Sequence, residues 1–314
     1  MNFQRSTCKY LFGPVPSRRF GLSLGVDLVP RKTCTLDCVF CEVGPTTRLT
    51  VERKEYAPVA EVERELKTWL AEGGAADVIS VTGSGEPTLH SGFGEILRFI
   101  KSEIKIKTIL LTNSTLLHLP EVRRSAAGAD IVKATFSAWD ENSFRALARP
   151  HPDLRFASLL EGLKSLRAEY EGRIWLEVFV APGINDALAQ IGKIAELAGT
   201  LQADKIQLNT AVRPTAECGV SPVDEKKMRE IAGLFRPKAE VIAKYSGNVS
   251  SQKADRNAVL AMLRRRPCTV GDVSASFGLD IAYTKNMLHE MLADGLARVE
   301  QRGDDEYFTG ICPR

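Results

Sequence analysis

From residue 22 to residue 235, short apolar segments alternate with longer segments whose apolar residues recur at helical spacing, and this alternation restricts the fold most. Strands that alternate with helices form a parallel sheet with the helices packed outside it. The pattern comprises about six such units, fewer than the eight of a closed α/β barrel. A doubly wound open sheet is the competing architecture. The predicted strands are 22–29, 77–82, 106–112, 130–136, 173–180 and 204–209, and the predicted helices are 58–72, 92–103, 156–167, 187–199 and 223–235.

The alternation stops after residue 250, and a second, smaller unit is predicted there. It contains three segments with helical patterns, followed by a hairpin with a Gly303-Asp304 turn. Three helices followed by a hairpin is the plan of a winged helix. We therefore predict a first domain over residues 1–250 and a winged-helix-like domain over residues 251–314. The three helical segments are 255–265, 269–276 and 280–293.

The cysteines indicate the kind of chemistry to expect. The chain has 7 cysteines, an odd number, and three of them form the run Cys34-Thr-Leu-Asp-Cys38-Val-Phe-Cys41, with the spacing C-x3-C-x2-C. We find no apolar secretory signal near Met1 and no apolar run of about 18 residues that would span a membrane. A cytoplasmic protein without a membrane partner is therefore expected. Thiols stay reduced in that compartment, so metal or redox chemistry is favoured over a disulfide framework.

Thiolates at these separations let one loop surround a single centre, which is either zinc or an iron–sulfur cluster. A structural zinc commonly takes further ligands from a second pair, and no second C-x2-C or H-x3-H follows. Three ligands leave one iron of a cubane [4Fe-4S] cluster open to another molecule. Pro30 and the pair Gly44-Pro45 place the run in a loop, which disfavours a third interpretation, three inert thiols of the core. Zinc remains the alternative.

The spacing, with Phe40 directly before the last cysteine, resembles the signature of the radical S-adenosylmethionine (SAM) superfamily. The resemblance implies that Cys34, Cys38 and Cys41 hold a [4Fe-4S] cluster whose open iron chelates SAM, and that Phe40 lies near the adenine. It also implies an open (β/α)6 barrel, a partial TIM barrel. An external donor of the flavodoxin or ferredoxin type would supply one electron. SAM would then yield methionine and a 5′-deoxyadenosyl radical, which abstracts a hydrogen atom from the substrate.

Polar residues follow several of the predicted strands, and ligands of parallel α/β folds bind at these ends. The segment Gly83-Ser84-Gly85-Glu86-Pro87 resembles the GGEP motif of the superfamily, which contacts the SAM amino group, with serine replacing one glycine. Asn113 and Ser137 follow the next two strands, where a helix cap is the competing role. Glu177 lies within an apolar strand, which is costly unless the carboxylate is paired or faces an interior. The candidate SAM-binding residues are Phe40, Ser84, Gly85, Glu86, Asn113, Ser137 and Glu177; the resemblance implies that Glu177 contacts the ribose.

The segment from Gly13 to Arg19 contains two prolines and ends in two arginines, so it is rigid and doubly basic. Two interpretations remain open. Arg18 and Arg19 are either solvated on a segment that covers a sheet edge, or they contact an anion near the mouth of the barrel.

Longer phrases resemble one branch of the superfamily, the stand-alone proteins grouped with the wyosine-base (tRNA-imidazoG37) synthases. Those synthases hold a second cluster with cysteines ahead of the SAM motif, whereas only Cys8 precedes Cys34 here. The sequence does not name the substrate, and RNA and a peptide are the macromolecular candidates. The resemblance covers about residues 11–235, in LFGPVPSRRFGLSLGVDLVPRKTC, GSGEPTL, FSAWDENSFRALARPHP and LNTAVRP.

The balance of charge argues against one class of partner. The 42 basic and 39 acidic residues give a net charge of +3, too small for a general polyanion binder. From residue 251 onward, 9 basic residues face 9 acidic ones, and Asp304, Asp305 and Glu306 lie in the predicted wing. Duplex DNA is therefore not the expected partner. The alternative function is an iron–sulfur redox-sensing regulator whose winged helix binds DNA.

Overall fold

A computed structural model describes residues 9–17, 19–217, 219–242, 256–302 and 305–311. No helix in this part of the chain is long and apolar enough to cross a membrane. The strands are β1 (Leu11–Ser17), β2 (Gly21–Val26), β3 (Thr33–Cys34), β4 (Arg48–Leu49), β5 (Val78–Val81), β6 (Lys107–Thr112), β7 (Ile131–Thr135), β8 (Arg173–Phe179), β9 (Lys205–Asn209), β10 (Glu240–Val241), β11 (Ala297–Arg302) and β12 (Asp305–Gly310). The helices are α1 (Val59–Ala71), α2 (Phe93–Phe99), α3 (Pro120–Ala126), α4 (Glu141–Ala148), α5 (Phe156–Glu169), α6 (Leu188–Thr200), α7 (Glu225–Ala232), α8 (Arg256–Leu263), α9 (Val270–Phe277) and α10 (Ile281–Ala293).

Eight of the strands form one sheet in the order β1-β2-β5-β6-β7-β8-β9-β10. Neighbouring strands are parallel from β2 to β10, and β1 runs antiparallel to β2. The fold class is therefore α/β with a mostly parallel sheet, which confirms that part of the prediction. The sequence does not predict β1 as a strand, because Pro14 lacks an amide donor. An edge strand tolerates it, and the register shifts between Phe12 and Val15.

The two faces of the sheet differ in polarity. One face carries buried apolar residues such as Leu110, Val132 and Leu176, which belong to the main hydrophobic core. The opposite face, called the cavity face from here on, holds most of the polar residues of the strands. Residues that pair in register between parallel strands share a face, as do residues two apart within a strand. The cavity face thus includes Ser23, Gly25, Ser80, Lys133, Glu177, Gln207 and Asn209.

Residues 256–311, called the carboxy-terminal module from here on, have a hydrophobic cluster of their own. Helices α8, α9 and α10 come first and the antiparallel pair β11–β12 follows, in the predicted order. Leu263, Leu288 and Phe308 are fully buried within this cluster. The predicted turn at Gly303-Asp304 lies outside the described residues.

Two helical glycines outside the module differ in their surroundings. A Cβ atom on Gly162 of α5 would lie 2.5 Å from the His118 backbone nitrogen and 2.6 Å from the Leu117 carbonyl carbon. A Cβ atom on Gly192 of α6 would have no such neighbour within 4 Å. Glycine is thus required at the first position by close packing of α5 on the backbone, and it is not required at the second.

We expect Gly162→Ala to lower the free energy of unfolding by about 1–3 kcal/mol, because the backbone at residues 117–118 must move. The matched variant Gly192→Ala should raise it by about 0.5–1 kcal/mol, because alanine favours the helix and meets no obstacle. Urea denaturation of the cluster-free protein, followed by circular dichroism, measures both values. Equal stability of the two variants would contradict the packing of α5 described above.

Candidate functional site

The three clustered cysteines lie in one loop, the cysteine loop, which covers residues 27–47 between β2 and β4. Tight turns shape it: the Cys41 amide donates to the Cys38 carbonyl at 3.2 Å, and the Gly44 amide donates to the Cys41 carbonyl at 3.1 Å. Cys34, Cys38 and Cys41 are free thiols that line one cavity of about 310 Å³. The structure therefore brings together the three cysteines that the spacing predicts as one ligand set.

The surroundings of the three sulfur atoms fit an iron–sulfur cluster. Lys32 Nζ lies 3.0 Å from Cys41 Sγ, and Asn113 Nδ2 lies 3.6 Å from Cys34 Sγ. Donors and positive charge beside the sulfurs stabilise the anionic thiolates of such a centre. Burial raises the pKa of the Cys34 thiol to about 12 and that of Cys38 well above its usual value, so bound iron must displace their protons.

Single metal ions are a separate question. Among the described residues, no three Cys, His, Asp or Glu side chains form a group that could hold one metal ion. In a [4Fe-4S] cluster each cysteine binds a different iron.

Of the other four cysteines, Cys268 is buried in the carboxy-terminal module, and Cys8, Cys218 and Cys312 lie outside the described residues.

Glu86 is buried, lines the cavity and accepts four hydrogen bonds. Its Oε1 atom accepts from the Thr88 amide at 3.1 Å, the Thr88 hydroxyl at 2.6 Å and the Thr112 hydroxyl at 2.7 Å. Its Oε2 atom accepts from the Asn113 amide at 2.8 Å. Burial raises the pKa of Glu86, and the four donors act in the opposite direction. The carboxylate therefore joins the turn after β5 to the end of β6.

The turn formed by residues 83–86, called the GSGE turn, packs directly on the cysteine loop. A Cβ atom on Gly85 would lie 2.0 Å from the Thr33 carbonyl oxygen, so glycine is required there. Ser84 faces elsewhere: its amide and hydroxyl donate to the Asp27 carboxylate at 3.1 and 2.7 Å. Gly85 and Glu86 line the cavity and Ser84 is not among its lining residues, so a contact between Ser84 and a ligand stays a prediction.

The remaining candidates also reach the cavity. Phe40 stacks on Phe179 with ring centroids 4.2 Å apart and ring planes 13° apart. The Ser137 hydroxyl accepts a hydrogen bond from the Phe179 amide at 2.8 Å. Asn113 Oδ1 accepts from the Thr115 amide at 3.1 Å, so Asn113 both caps a turn and lines the cavity. The capping role is thus observed, and the contact with a ligand stays a prediction.

Glu177 lines the cavity and pairs with two cations. Its Oε2 atom contacts Lys133 Nζ and lies 2.5 Å from Arg19 Nη2. These partners provide the pairing that a carboxylate in an apolar strand requires. The interpretation of solvated arginines is therefore wrong for Arg19, and Arg18 lies outside the described residues.

Four charged residues near the site were not predicted from the sequence: Asp27, Lys32, Lys133 and Arg213. Lys133 carries the same signal as Glu177, a charge within an apolar strand, and could have been found. Asp27 also lies in a predicted apolar strand. Lys32 and Arg213 lie in polar loops, where a charge gives no such signal, although both are buried.

Comparison with known proteins places this site in a family. Residues 28–197, more than half of the chain, match the model of the Radical SAM superfamily. A UPF0026 protein of Methanocaldococcus jannaschii is 31% identical over 244 residues, which cover 76% of this chain and 76% of that protein. A protein named GTPase Obg of Brachyspira hyodysenteriae is 30% identical over 93% of this chain, and the match covers 44% of that protein's length.

The solved structure of a radical SAM methyltransferase from Sphaerobacter thermophilus has a similar fold, with a TM-score of 0.53 and 18% sequence identity. The match covers 70% of this chain and 65% of that one. The residues matched by the family model include the cysteine loop from residue 28 and the GSGE turn. The chain therefore belongs to the radical SAM superfamily of enzymes, whose members use a [4Fe-4S] cluster and S-adenosylmethionine.

Proposed function

We propose that Cys34, Cys38 and Cys41 hold a [4Fe-4S] cluster at which SAM is cleaved reductively, and that the product radical abstracts a hydrogen atom from a substrate. The observation that carries this proposal is that the three thiols line one cavity together with Gly85 and Glu86. When bound, the cluster and SAM supply a 5′-deoxyadenosyl radical and methionine, at the expense of one electron from a flavodoxin- or ferredoxin-type donor.

The protein's own residues bind and orient SAM in this proposal. Gly85 lets the GSGE turn pack on the cysteine loop beside the methionine end of SAM, and Glu86 fixes that turn. Phe40 is held by its stacking on Phe179 and faces the adenine. Ser137 follows β7 and Glu177 lies near the end of β8, and we assign both to the ribose side of SAM.

We propose that the parallel strands form an open (β/α)6 barrel with the cavity face inside. The strands β2, β5, β6, β7, β8 and β9 neighbour each other in chain order, as barrel strands do. A doubly wound sheet reverses its order at a switch point, and this sheet has no such reversal among its described strands. We assign residues 1–250 to this domain and residues 251–314 to a winged-helix-like domain.

RNA or a peptide is the substrate class that we propose, acted on in the cytoplasm, where thiols stay reduced before cluster assembly. Arg19 and Lys133 pair with Glu177, and Lys133 and Glu177 line the cavity itself, so this charged group lies at the region assigned to SAM. A substrate held there would meet both cationic and anionic side chains.

We expect the wild-type protein, reconstituted with iron and sulfide without oxygen, to release 5′-deoxyadenosine from SAM after addition of a reductant. Cys38→Ala should reduce this release to background, because a cluster with two cysteine ligands is not retained. Cys268→Ala, which removes a buried thiol of the carboxy-terminal module, should keep the wild-type activity. Chromatographic detection of 5′-deoxyadenosine measures all three.

Two outcomes of this experiment contradict the proposal. An intact cluster without SAM cleavage, together with tight binding of a DNA operator, would establish the regulator instead. Zinc in place of iron in protein purified without oxygen would exclude both a radical enzyme and an iron–sulfur regulator.

We expect Glu86→Gln to lower the free energy of unfolding by about 1–3 kcal/mol. Each carboxylate oxygen of Glu86 faces a backbone amide, that of Thr88 or that of Asn113. The NH2 group of glutamine would therefore face one of these two N–H donors in either orientation of the side chain, and that hydrogen bond would be lost. Urea denaturation of the cluster-free protein measures the change.

The control for this variant is Glu95→Gln on α2, where the side chain is exposed, and it should change stability by less than about 0.5 kcal/mol. A Glu86→Gln protein as stable as this control would show that the four hydrogen bonds do not hold the GSGE turn.

A further inference from the structure

The carboxy-terminal module contacts two separate parts of the first domain, strand β1 and the segment between β9 and α7. Helices α8 and α9 pack on β1, the first edge strand, and Val15 of β1 joins the module's hydrophobic cluster. On the other side, the Tyr307 hydroxyl donates to the Val212 carbonyl at 3.0 Å, and Arg302 donates to the Val220 carbonyl at 3.5 Å. Both carbonyls lie in the segment between β9 and α7. The module therefore spans from the first strand of the sheet to the loop after β9.

Arg265 extends from the end of α8 to the cavity face. Its guanidinium carbon lies 4.1 Å from the ring centroid of Phe12, and a Cβ atom on Gly25 would approach that ring to 2.0 Å. Arg265 Nε lies 3.4 Å from Asp27 Oδ2. Asp27 is buried, and its carboxylate holds the amide and hydroxyl of Ser84. A continuous series of contacts therefore joins the module to the GSGE turn.

A second series of contacts joins the module to the cysteine loop. Arg213 is buried between two carboxylates: Nη1 lies 3.3 Å from Glu42 Oε2, and Nη2 lies 3.7 Å from Asp272 Oδ1. Glu42 directly follows Cys41, and Asp272 belongs to α9 of the module. Because Arg213 is largely withheld from water, its attraction to both carboxylates is screened less than at a surface.

Arg31 makes a third connection between the same two parts. Its guanidinium donates to the Val43 carbonyl at 3.1 Å within the cysteine loop, and it also contacts the Arg264 carbonyl of the module. The connections through Arg265, Arg213 and Arg31 thus end beside the cysteines or on the GSGE turn.

We propose that the carboxy-terminal module is a positioning part of the SAM-cleaving centre. Arg265 sets the GSGE turn through Asp27, and Arg213 ties the cysteine loop to Asp272. These are positioning residues, since they act through the turn and the loop. The effect on SAM binding rests on the proposed function. The ordering of the turn and the loop does not, because it is a property of the protein without SAM. Residues that orient the groups in direct contact with a ligand typically affect the affinity for that ligand, although they do not touch it.

The first test is SAM affinity. Arg265→Met removes the charge and keeps much of the side-chain stem that packs on Phe12. We expect the Kd of SAM for the reconstituted protein, measured by equilibrium binding, to rise about tenfold. The EPR spectrum of the reduced cluster with SAM should change as well. Arg265→Lys, which retains a cation for Asp27, should recover most of the affinity. Arg298→Met, at an exposed position on β11 of the same module, is the matched control and should behave as wild type.

The second test uses hydrogen exchange of the cluster-free protein. Arg265→Met should speed exchange at residues 83–86, and Asp272→Asn should speed it at residues 42–47, while strands β6, β7 and β8 keep the wild-type rates. Unchanged exchange in both variants, or acceleration that includes those three strands, overturns the proposal. A wild-type protein that cleaves no SAM would refute the proposed function, and the exchange rates would still decide this inference.

Discussion

The buried carboxylate of Glu86 is the interaction on which the site depends. A carboxylate withdrawn from water is stable only with several donors. Here the donors come from two different connections, Thr88 after β5 and Thr112 with Asn113 at the end of β6. Asn113 in turn donates to Thr35 of the cysteine loop at 2.7 Å and lies beside Cys34. One charged group therefore sets the mutual positions of two strand ends and the loop that carries the thiols.

The parallel part of the fold was predictable from local patterns, because the buried faces of helices and strands require apolar residues at regular spacings or in short runs. The predicted strand 106–112 and the observed Lys107–Thr112 differ by one residue. β1 was missed because Pro14 disfavours a strand unless the strand lies at an edge, and that position depends on the whole sheet. The predicted helix 92–103 continues beyond α2 as a π-helical turn, Ile100–Ile104, a change of winding that apolar spacing does not reveal.

The site was predictable where its residues are close in sequence. Cys34, Cys38 and Cys41, and likewise Gly85 and Glu86, form short motifs whose spacing carries the chemistry. Ser84 was assigned to the ligand together with the rest of its motif, and the motif does not reveal that its hydroxyl binds Asp27, 57 positions away. The role of Arg213 depends on Glu42 and Asp272, which lie in distant parts of the chain. Such contacts leave no local period, so only the folded chain reveals them.

The basic run Arg264-Arg265-Arg266 illustrates how the fold changes the meaning of a charge pattern. In a winged helix, such a run could serve a nucleic-acid surface. Here Arg265 pairs with Asp27, Arg264 Nε donates to the Ile311 carbonyl at 3.1 Å, and Arg266 Nη2 lies 3.4 Å from Met262 Sδ. Each arginine of the run therefore has a partner within the protein. The 9 basic and 9 acidic residues from residue 251 onward then leave little positive charge for phosphates, which argues against duplex DNA as a partner.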